Sequence, residues 1–238
     1  MPSLRLLTYN VRSLRDDARA VARIIRDADP HVVCVQEAPR FLRWRSRCAE
    51  LARRSGLVVV GGGRASGANL ILGTLAVEVL ATAEVRLSPV PKLHQRGVAI
   101  AHLRLAGREF AVAGTHLDVR EDARLRHRPE LEAALQRHVA DGVPVILAGD
   151  TNDDPGSPLW TQLTRTRVDA WGCRHAGEPA TRPDEVPGAT SGPADHPRRR
   201  IDAVFVPPAL TVRRAEVIAG AEVELASDHR PLLVEIEL

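Results

Sequence analysis

Lysine is almost missing from this 238-residue chain: Lys92 is the only one among 33 basic residues, and the rest are arginines. Aromatic residues supply only 3% of the chain against 44% hydrophobic residues, so a core has to rest on Val, Leu, Ile and Ala. The three cysteines, Cys34, Cys48 and Cys173, are too few and too widely spaced for a disulfide framework or a zinc site, which points to a reducing compartment. No apolar run approaches the roughly 18 residues of a spanning helix. After Met1-Pro2-Ser3 the chain enters an apolar run without the basic and cleavage segments of a signal peptide, so a cytoplasmic protein with no membrane insertion is expected. No Ser/Gly-rich or Pro-rich linker divides the chain, and residues 1–238 are expected to form one domain.

The formal net charge of +3 and the pI near 9.1 therefore come from arginine. Its planar fork suits two phosphate oxygens at once. A general bias of the genome towards arginine and alanine explains the same composition, so charge alone selects no partner.

Short apolar runs at Leu4–Tyr9 and His31–Val35 flank an arginine- and aspartate-rich helical stretch, which gives strand, helix, strand. Residues 39–54 are expected to be helical, with Phe41, Trp44, Cys48 and Leu51 on one apolar stripe and the arginines on a solvated face. Strands follow at Leu57–Gly63, Asn69–Leu72, Val77–Leu80 and Gly97–Leu105. The glycine run 61–67 lacks the Gly-Lys-Ser/Thr ending of a P-loop and precedes a strand, so it is expected to be a structural turn. The second half repeats the first: a strand at Phe110–Ala113, a helix over 120–140, and a strand at Val143–Leu147. A polar, proline-bearing stretch spans about 176–199, and Ile201–Val206 and Pro231–Leu238 are the last strong strands. Such alternation predicts an α/β fold.

Polar residues recur at or just past the ends of these strands: Asn10, Glu37, His116, Asp150 and Asn152, with Asp228-His229 before the last strand. Strand ends are where a sheet presents side chains to a crevice. Singly, each is ordinarily a turn or cap residue, but the set is hard to explain that way. Glu37 and Asp228 are hard oxygen donors without a nearby cysteine or histidine pair at zinc spacing, which favours magnesium or manganese. The run Asp150-Thr151-Asn152-Asp153-Asp154 imitates a calcium loop at its first, third and fifth positions. Pro155 then stands where that loop needs glycine and Thr161 where it needs glutamate, which excludes it.

Asp150 and Asn152 are two apart, so in an extended segment they point the same way, one placed to take a proton from water and the other to position it. Asp202 lies inside the apolar strand Ile201–Val206, where a carboxylate needs a partner. His229 is the best candidate, and pairing would keep its imidazole oriented and protonated. Arg96 precedes a strand after a proline-broken stretch. It is placed either to clamp phosphate or to stand as an exposed arginine at a strand start.

Thr8-Tyr9-Asn10, Gln36-Glu37, Gly114-Thr115-His116-Leu117, Gly149-Asp150-Thr151-Asn152, Arg200-Ile201-Asp202 and Ser227-Asp228-His229-Arg230-Pro231 resemble, in order, the six signature segments of the endonuclease/exonuclease/phosphatase family. The resemblance covers residues 4–238 and implies a four-layer α/β/β/α sandwich, two mixed sheets face to face with helices outside. It also implies that Glu37 binds Mg2+ or Mn2+ with help from Asn10 and Asp228. Asp150 would activate water with Asn152 positioning, His116 and His229 would bind phosphate, and Asp202 would orient His229. At Arg12 the chain departs from the nuclease branch, where many members carry an aspartate.

Such an enzyme hydrolyses phosphoesters by in-line attack of water, without a phospho-enzyme intermediate. The variable loops hold few aromatics, mainly Trp160 and Trp171, and show no exposed apolar hairpin. A monomeric phosphodiesterase or phosphatase acting on a small or lipid-derived phosphate is expected, with a DNA or RNA nuclease as the alternative, kept open by Arg198-Arg199-Arg200. A non-catalytic scaffold would have lost at least one of Glu37, Asp150, Asp202 or His229.

Overall fold

The structure is a computed structural model that describes residues 2–176, 186–192 and 198–238. Of the polar stretch at 176–199, residues 177–185 and 193–197 lie outside the described residues. The first half runs β1 (Ser3–Asn10), α1 (Ala18–Asp27), β2 (Val32–Gln36), α2 (Trp44–Arg54), β3 (Val58–Gly63) and β4 (Asn69–Gly73). The middle adds β5 (Glu78–Arg86), β6 (Gly97–Leu105), β7 (Arg108–His116), α3 (Glu121–His138) and β8 (Val145–Asp150). Then come α4 (Pro158–Leu163), β9 (Val168–Asp169), α5 (Ala170–Arg174), β10 (Asp202–Val206), β11 (Thr211–Val217), α6 (Ala221–Ala226) and β12 (Leu232–Glu237).

Two six-stranded sheets form, in the orders β11-β12-β1-β2-β4-β3 and β5-β6-β7-β8-β10-β9. Each is mixed, with one parallel pair, β1/β2 or β7/β8, closed by its crossover helix and antiparallel neighbours on either side. Alternate residues of the central strands face opposite layers, because side chains in a strand alternate. Leu4 and Leu6 of β1, Cys34 of β2, Val112 of β7 and Ala148 of β8 meet between the sheets. Leu7 and Tyr9 face α1 and α2, whereas Ala111, Ala113 and Leu147 face α3 and α4. Three apolar layers between four structural layers make the expected α/β/β/α sandwich.

Register places the chemistry. The parallel β7/β8 pair sets His116 opposite Asp150, and the antiparallel β10/β8 pair sets Asp202 opposite the same Asp150. Gly149 makes the close approach possible: its φ is +147°, and a Cβ there would lie 1.9 Å from the Thr115 carbonyl oxygen. Among the described residues, no helix is long and apolar enough to cross a membrane.

Residues 39–43 differ from the sequence expectation. The helix starts only at Trp44, because Arg43 takes a left-handed conformation (φ 59°) with no side-chain cap, and the chain turns at Phe41–Trp44 instead. Phe41 thus leaves the apolar stripe and is 75% exposed, while Cys48 and Leu51 stay buried. β11 and the short α4, α5, α6 and β9 lay outside the sequence reading. They are two- to seven-residue elements whose burial comes from neighbours rather than from their own periodicity.

Candidate active site

The signature residues converge on one cleft of about 350 Å3, lined among others by Glu37, Arg96, His116, Asp150, Asn152 and His229. Asp150 is its hub. Its Oδ1 accepts from the Asn152 backbone N–H at 2.9 Å and its Oδ2 from Asn10 Nδ2 at 3.0 Å. Asn10 sits at the end of β1 and Asp150 at the end of β8, so this hydrogen bond joins the two sheets. The Asn10 amide also reaches Glu37 Oε1 at 3.4 Å, and Ser227 Oγ donates to the Asn10 carbonyl at 2.8 Å.

The segment after Asp150 is not extended. Asn152 adopts a left-handed backbone (φ 51°), and its side chain turns back to Leu117 O at 3.0 Å and His116 Nε2 at 3.1 Å. The carboxylate at 150 caps its own turn, a local bond that aspartate makes readily. Glu37 is left-handed too (φ 50°), so two site residues hold conformations that cost non-glycine residues free energy.

His229 Nδ1 lies 2.8 Å from Asp202 Oδ2, and Asp202 is almost fully buried on β10. The expected pairing is present, and Arg200 pairs elsewhere. Burial alone would hold the His229 proton off, but the charge and hydrogen bond of Asp202, with Asp150 and Asp228 nearby, push the imidazole up to about 10. His116 is held down to about 3 by burial, which outweighs the pull of Asp150, with Arg96, His229 and Arg40 adding to the effect. One histidine of the cleft is therefore a cation and the other is neutral.

Arg96 is buried beside the cleft, with Nε 3.3 Å from Asp118 Oδ2, so it is no exposed strand-start arginine. Arg124 supports the neighbouring loops from beneath, donating to the carbonyls of Asp118 and Val119 and pairing with Asp153 at 2.8 Å. Asp228 stands half-exposed, with Oδ2 3.4 Å from Arg12 Nε.

Asp150, Asp202 and His229 bring ligand-type atoms within 4.8 Å of one another and form a possible metal site among the described residues. In this arrangement His229 Nδ1 is committed to Asp202, which leaves Nε2 as the ring atom turned to Asp150. Of the residues expected to hold a metal, Glu37 lines the cleft, Asn10 turns its amide N–H to Glu37 and Asp150 while its Oδ1 accepts from the Arg12 backbone N–H at 3.1 Å, and Asp228 faces Arg12.

The family profile described as "Endonuclease/Exonuclease/phosphatase family" matches residues 7–229. The chain belongs to this family. It is an enzyme of the phosphoesterase and nuclease class, and the family depends on divalent metal. The chain is similar to nocturnin of Drosophila melanogaster, 37% identical over 87 residues, a match that spans 34% of this chain and only 14% of that protein. In structure it is similar to a mannosyl-6-phosphatase of Bacteroides thetaiotaomicron VPI-5482, 18% identical over 99% of this chain and all of the other, with a TM-score of 0.79. It is also similar to D. rerio TDP2 complexed with a single-stranded DNA product, 17% identical with both chains fully covered and a TM-score of 0.74.

Several residues that shape this family member's site were missed in the sequence. Thr190 Oγ1 accepts from the backbone N–H groups of Ile201 and Asp202, and Ser191 Oγ lies 3.4 Å from His229 Nε2. Both belong to a polar stretch without periodicity, so only the fold brings them to the site. The Arg198-Arg199-Arg200 run, in contrast, loses most of its force as a nucleic-acid signal. Arg200 is buried between Trp160 and Trp171 and paired with Asp169, and Arg199 holds Asp154. Neither tryptophan serves as a wedge: Trp160 packs edge-on against Phe205 in the core.

Proposed function

We propose that this enzyme hydrolyses a phosphodiester or phosphomonoester of a small or lipid-derived phosphate in the cleft around Asp150. The observation that carries the reading is His229, fixed by Asp202 at 2.8 Å and facing Asp150 Oδ2 at 3.8 Å inside a cleft rimmed by arginines. A cation held there neutralises charge that grows on the phosphoryl oxygens. Asp150 takes the proton of the attacking water, its carboxylate held in place by the Asn152 N–H on Oδ1 and by Asn10 on Oδ2. Asn152 positions that water, His116 contributes a hydrogen bond without charge, and Arg96 clamps the phosphate.

Glu37, helped by Asn10 and Asp228, would hold Mg2+ or Mn2+, which when bound supplies further charge neutralisation at the phosphoryl group. A cytoplasmic location agrees with three free cysteines, Cys34, Cys48 and Cys173.

The mannosyl-6-phosphatase likeness supports a small phosphate ester, and a cleft of about 350 Å3 takes a phosphate with one attached group. Cleavage of nucleic acid is the second reading, favoured by the exposed Phe41 at the rim. Purified protein supplemented with Mg2+ or Mn2+ should hydrolyse chromogenic phosphodiesters or phosphomonoesters, and a chelator should abolish the activity. No hydrolysis of any phosphoester, including abasic-site DNA, would overturn the reading.

A further inference from the structure

Asp202 and His229 meet from different sheets. Asp202 opens β10 in one, and His229 stands three residues before β12 in the other, so their 2.8 Å hydrogen bond crosses between the layers. A side-chain pair of this kind is only as accurate as the backbones that carry it, and a misplacement of about 1 Å at a reacting site can cost roughly 10²-fold in rate. The dipeptide Thr190-Ser191 touches both backbones.

Thr190 Oγ1 accepts from the backbone N–H of Asp202 at 3.1 Å and of Ile201 at 3.3 Å, while the Thr190 carbonyl accepts from the Arg230 N–H at 2.7 Å. The backbone N–H groups of Thr190 and Ser191 both donate to the Arg199 carbonyl, at 2.8 and 3.0 Å. Ser191 also forms isolated antiparallel bridges with Arg199 on one side and His229 on the other. One short segment is therefore paired both with the lead-in to β10 and with the lead-in to β12. Thr190 is fully buried, and the partners of its hydroxyl are 11 and 12 residues away, so that hydroxyl is no local turn cap.

The side chain of Ser191 reaches the imidazole itself. Its Oγ lies 3.4 Å from His229 Nε2, nearer than Asp150 Oδ2 at 3.8 Å. With Nδ1 bonded to Asp202, the ring can still tilt about that one hydrogen bond, and the Asp150 carboxylate draws Nε2 towards itself. Ser191 supplies a second point of attachment that competes with Asp150.

We infer that Thr190 and Ser191 are positioning residues for the Asp202–His229 pair: Thr190 ties the two backbones together, and Ser191 Oγ holds His229 Nε2 off Asp150, so that the nitrogen stays open to a phosphoryl oxygen and the carboxylate to water. This rests on the reading of the cleft as a phosphoesterase site. Both residues act through His229 and Asp202, and neither has to touch the substrate.

Two conservative substitutions separate the two ends of this brace. Imidazole nitrogen NMR on metal-free protein, with His229 assigned from the spectrum of His229→Gln, should show the Nε2 resonance displaced in Ser191→Ala. Nδ1, still bonded to Asp202, should keep its parent position, and Ser191→Thr should return Nε2 towards the parent. Thr190→Val should displace Nδ1 instead. Ser191→Ala removes only a hydroxyl from a half-buried residue, so it decides the matter even if Thr190→Val fails to fold. With Mg2+ and a chromogenic phosphodiester, Ser191→Ala should lower turnover about tenfold, the scale of one hydrogen bond to a charged group, and change the Michaelis constant less. Ser191→Thr should recover most of that loss.

An Nε2 resonance unmoved by Ser191→Ala would overturn the inference, and so would a Ser191→Ala protein that turns over as fast as the parent. With a parent that hydrolyses the diester, either result leaves the phosphoesterase reading intact. The expected nitrogen displacements in a protein whose parent hydrolyses no phosphoester would have the reverse meaning: the cleft reading fails and the positioning of His229 by Ser191 stands.

Discussion

His116 Nε2 and His229 Nε2 both face Asp150 Oδ2, at 3.4 and 3.8 Å, yet the fold holds the two imidazoles in opposite charge states. The difference lies in the second carboxylate. His229 has Asp202 on its Nδ1, while His116 has burial and the nearby cations Arg96 and His229. A single buried carboxylate is thus flanked by one group that can neutralise phosphoryl charge and one that cannot.

That contrast makes the pH dependence testable on metal-free protein. His229 is raised to about 10 from its ordinary 6.5, so its pairing stabilises the fold fully below pH 6.5 and the contribution fades as pH climbs towards 10. His116 is lowered to about 3, and here the sign reverses. Below pH 6.5 the unfolded chain takes up a proton that the folded chain refuses, so this site costs stability as pH falls towards 3. Imidazole nitrogen NMR should show His229 doubly protonated at pH 8 and His116 neutral at pH 5. A His229 that titrates near 6.5 would remove its proposed charge-neutralising role.

The buried Arg124–Asp153 pair, 2.8 Å apart beneath the loops that carry Asp118 and Asn152, should matter for stability more than any exposed ion pair. Arg124→Met leaves the Asp153 carboxylate buried without its cation, a loss of about 3 to 5 kcal/mol. Urea unfolding measures it directly, and adding Asp153→Asn to Arg124→Met should recover part of the loss. A midpoint shift equivalent to less than about 1 kcal/mol would show that water reaches the pair.

How much of this was legible in the sequence depends on whether a residue works through its own strand or through a partner's. Asp202 could be read because a carboxylate inside Ile201–Val206 violates the burial rule and demands a partner, and His229 supplies it. The cluster around Asp150 could be read because β-register puts the strand-end residues His116, Asp150 and Asp202 side by side. Phe41 could not, since its apolar character fits a helical stripe equally well. Only the left-handed turn at Arg43, which propensity does not announce, moves it to the rim. Thr190 and Ser191 gave no signal at all, because their partners are some ten and nearly forty residues away along the chain.

Arg96 separates substrate binding from proton transfer. Its guanidinium lies by the cleft and is held by Asp118 at 3.3 Å, so Arg96→Ala should raise the Michaelis constant at least as strongly as it lowers turnover. Arg96→Lys should restore part of the charge but not the bidentate geometry. An unchanged Michaelis constant for the alanine variant would assign Arg96 to the Asp118 loop rather than to phosphate.

The assignment of the base rests on Asp150→Asn compared with Glu37→Gln. Asparagine at 150 is nearly isosteric with aspartate and can still accept from the Asn152 N–H through its oxygen, so the turn should persist. Its amide cannot take a proton from water, and turnover should fall by about 10² to 10⁴, roughly 3 to 5 kcal/mol of barrier. Glutamine at 37 should act differently: calorimetry should show weaker Mg2+ binding, and part of the lost activity should return at high magnesium. Because Asp150 also bonds Asn10 across the two sheets, thermal unfolding must be followed alongside. An Asp150→Asn protein that melts like the parent and turns over within threefold of it would remove Asp150 from the proton-transfer step. That result would leave His229, fixed by Asp202, as the group whose substitution by glutamine should then show the larger loss.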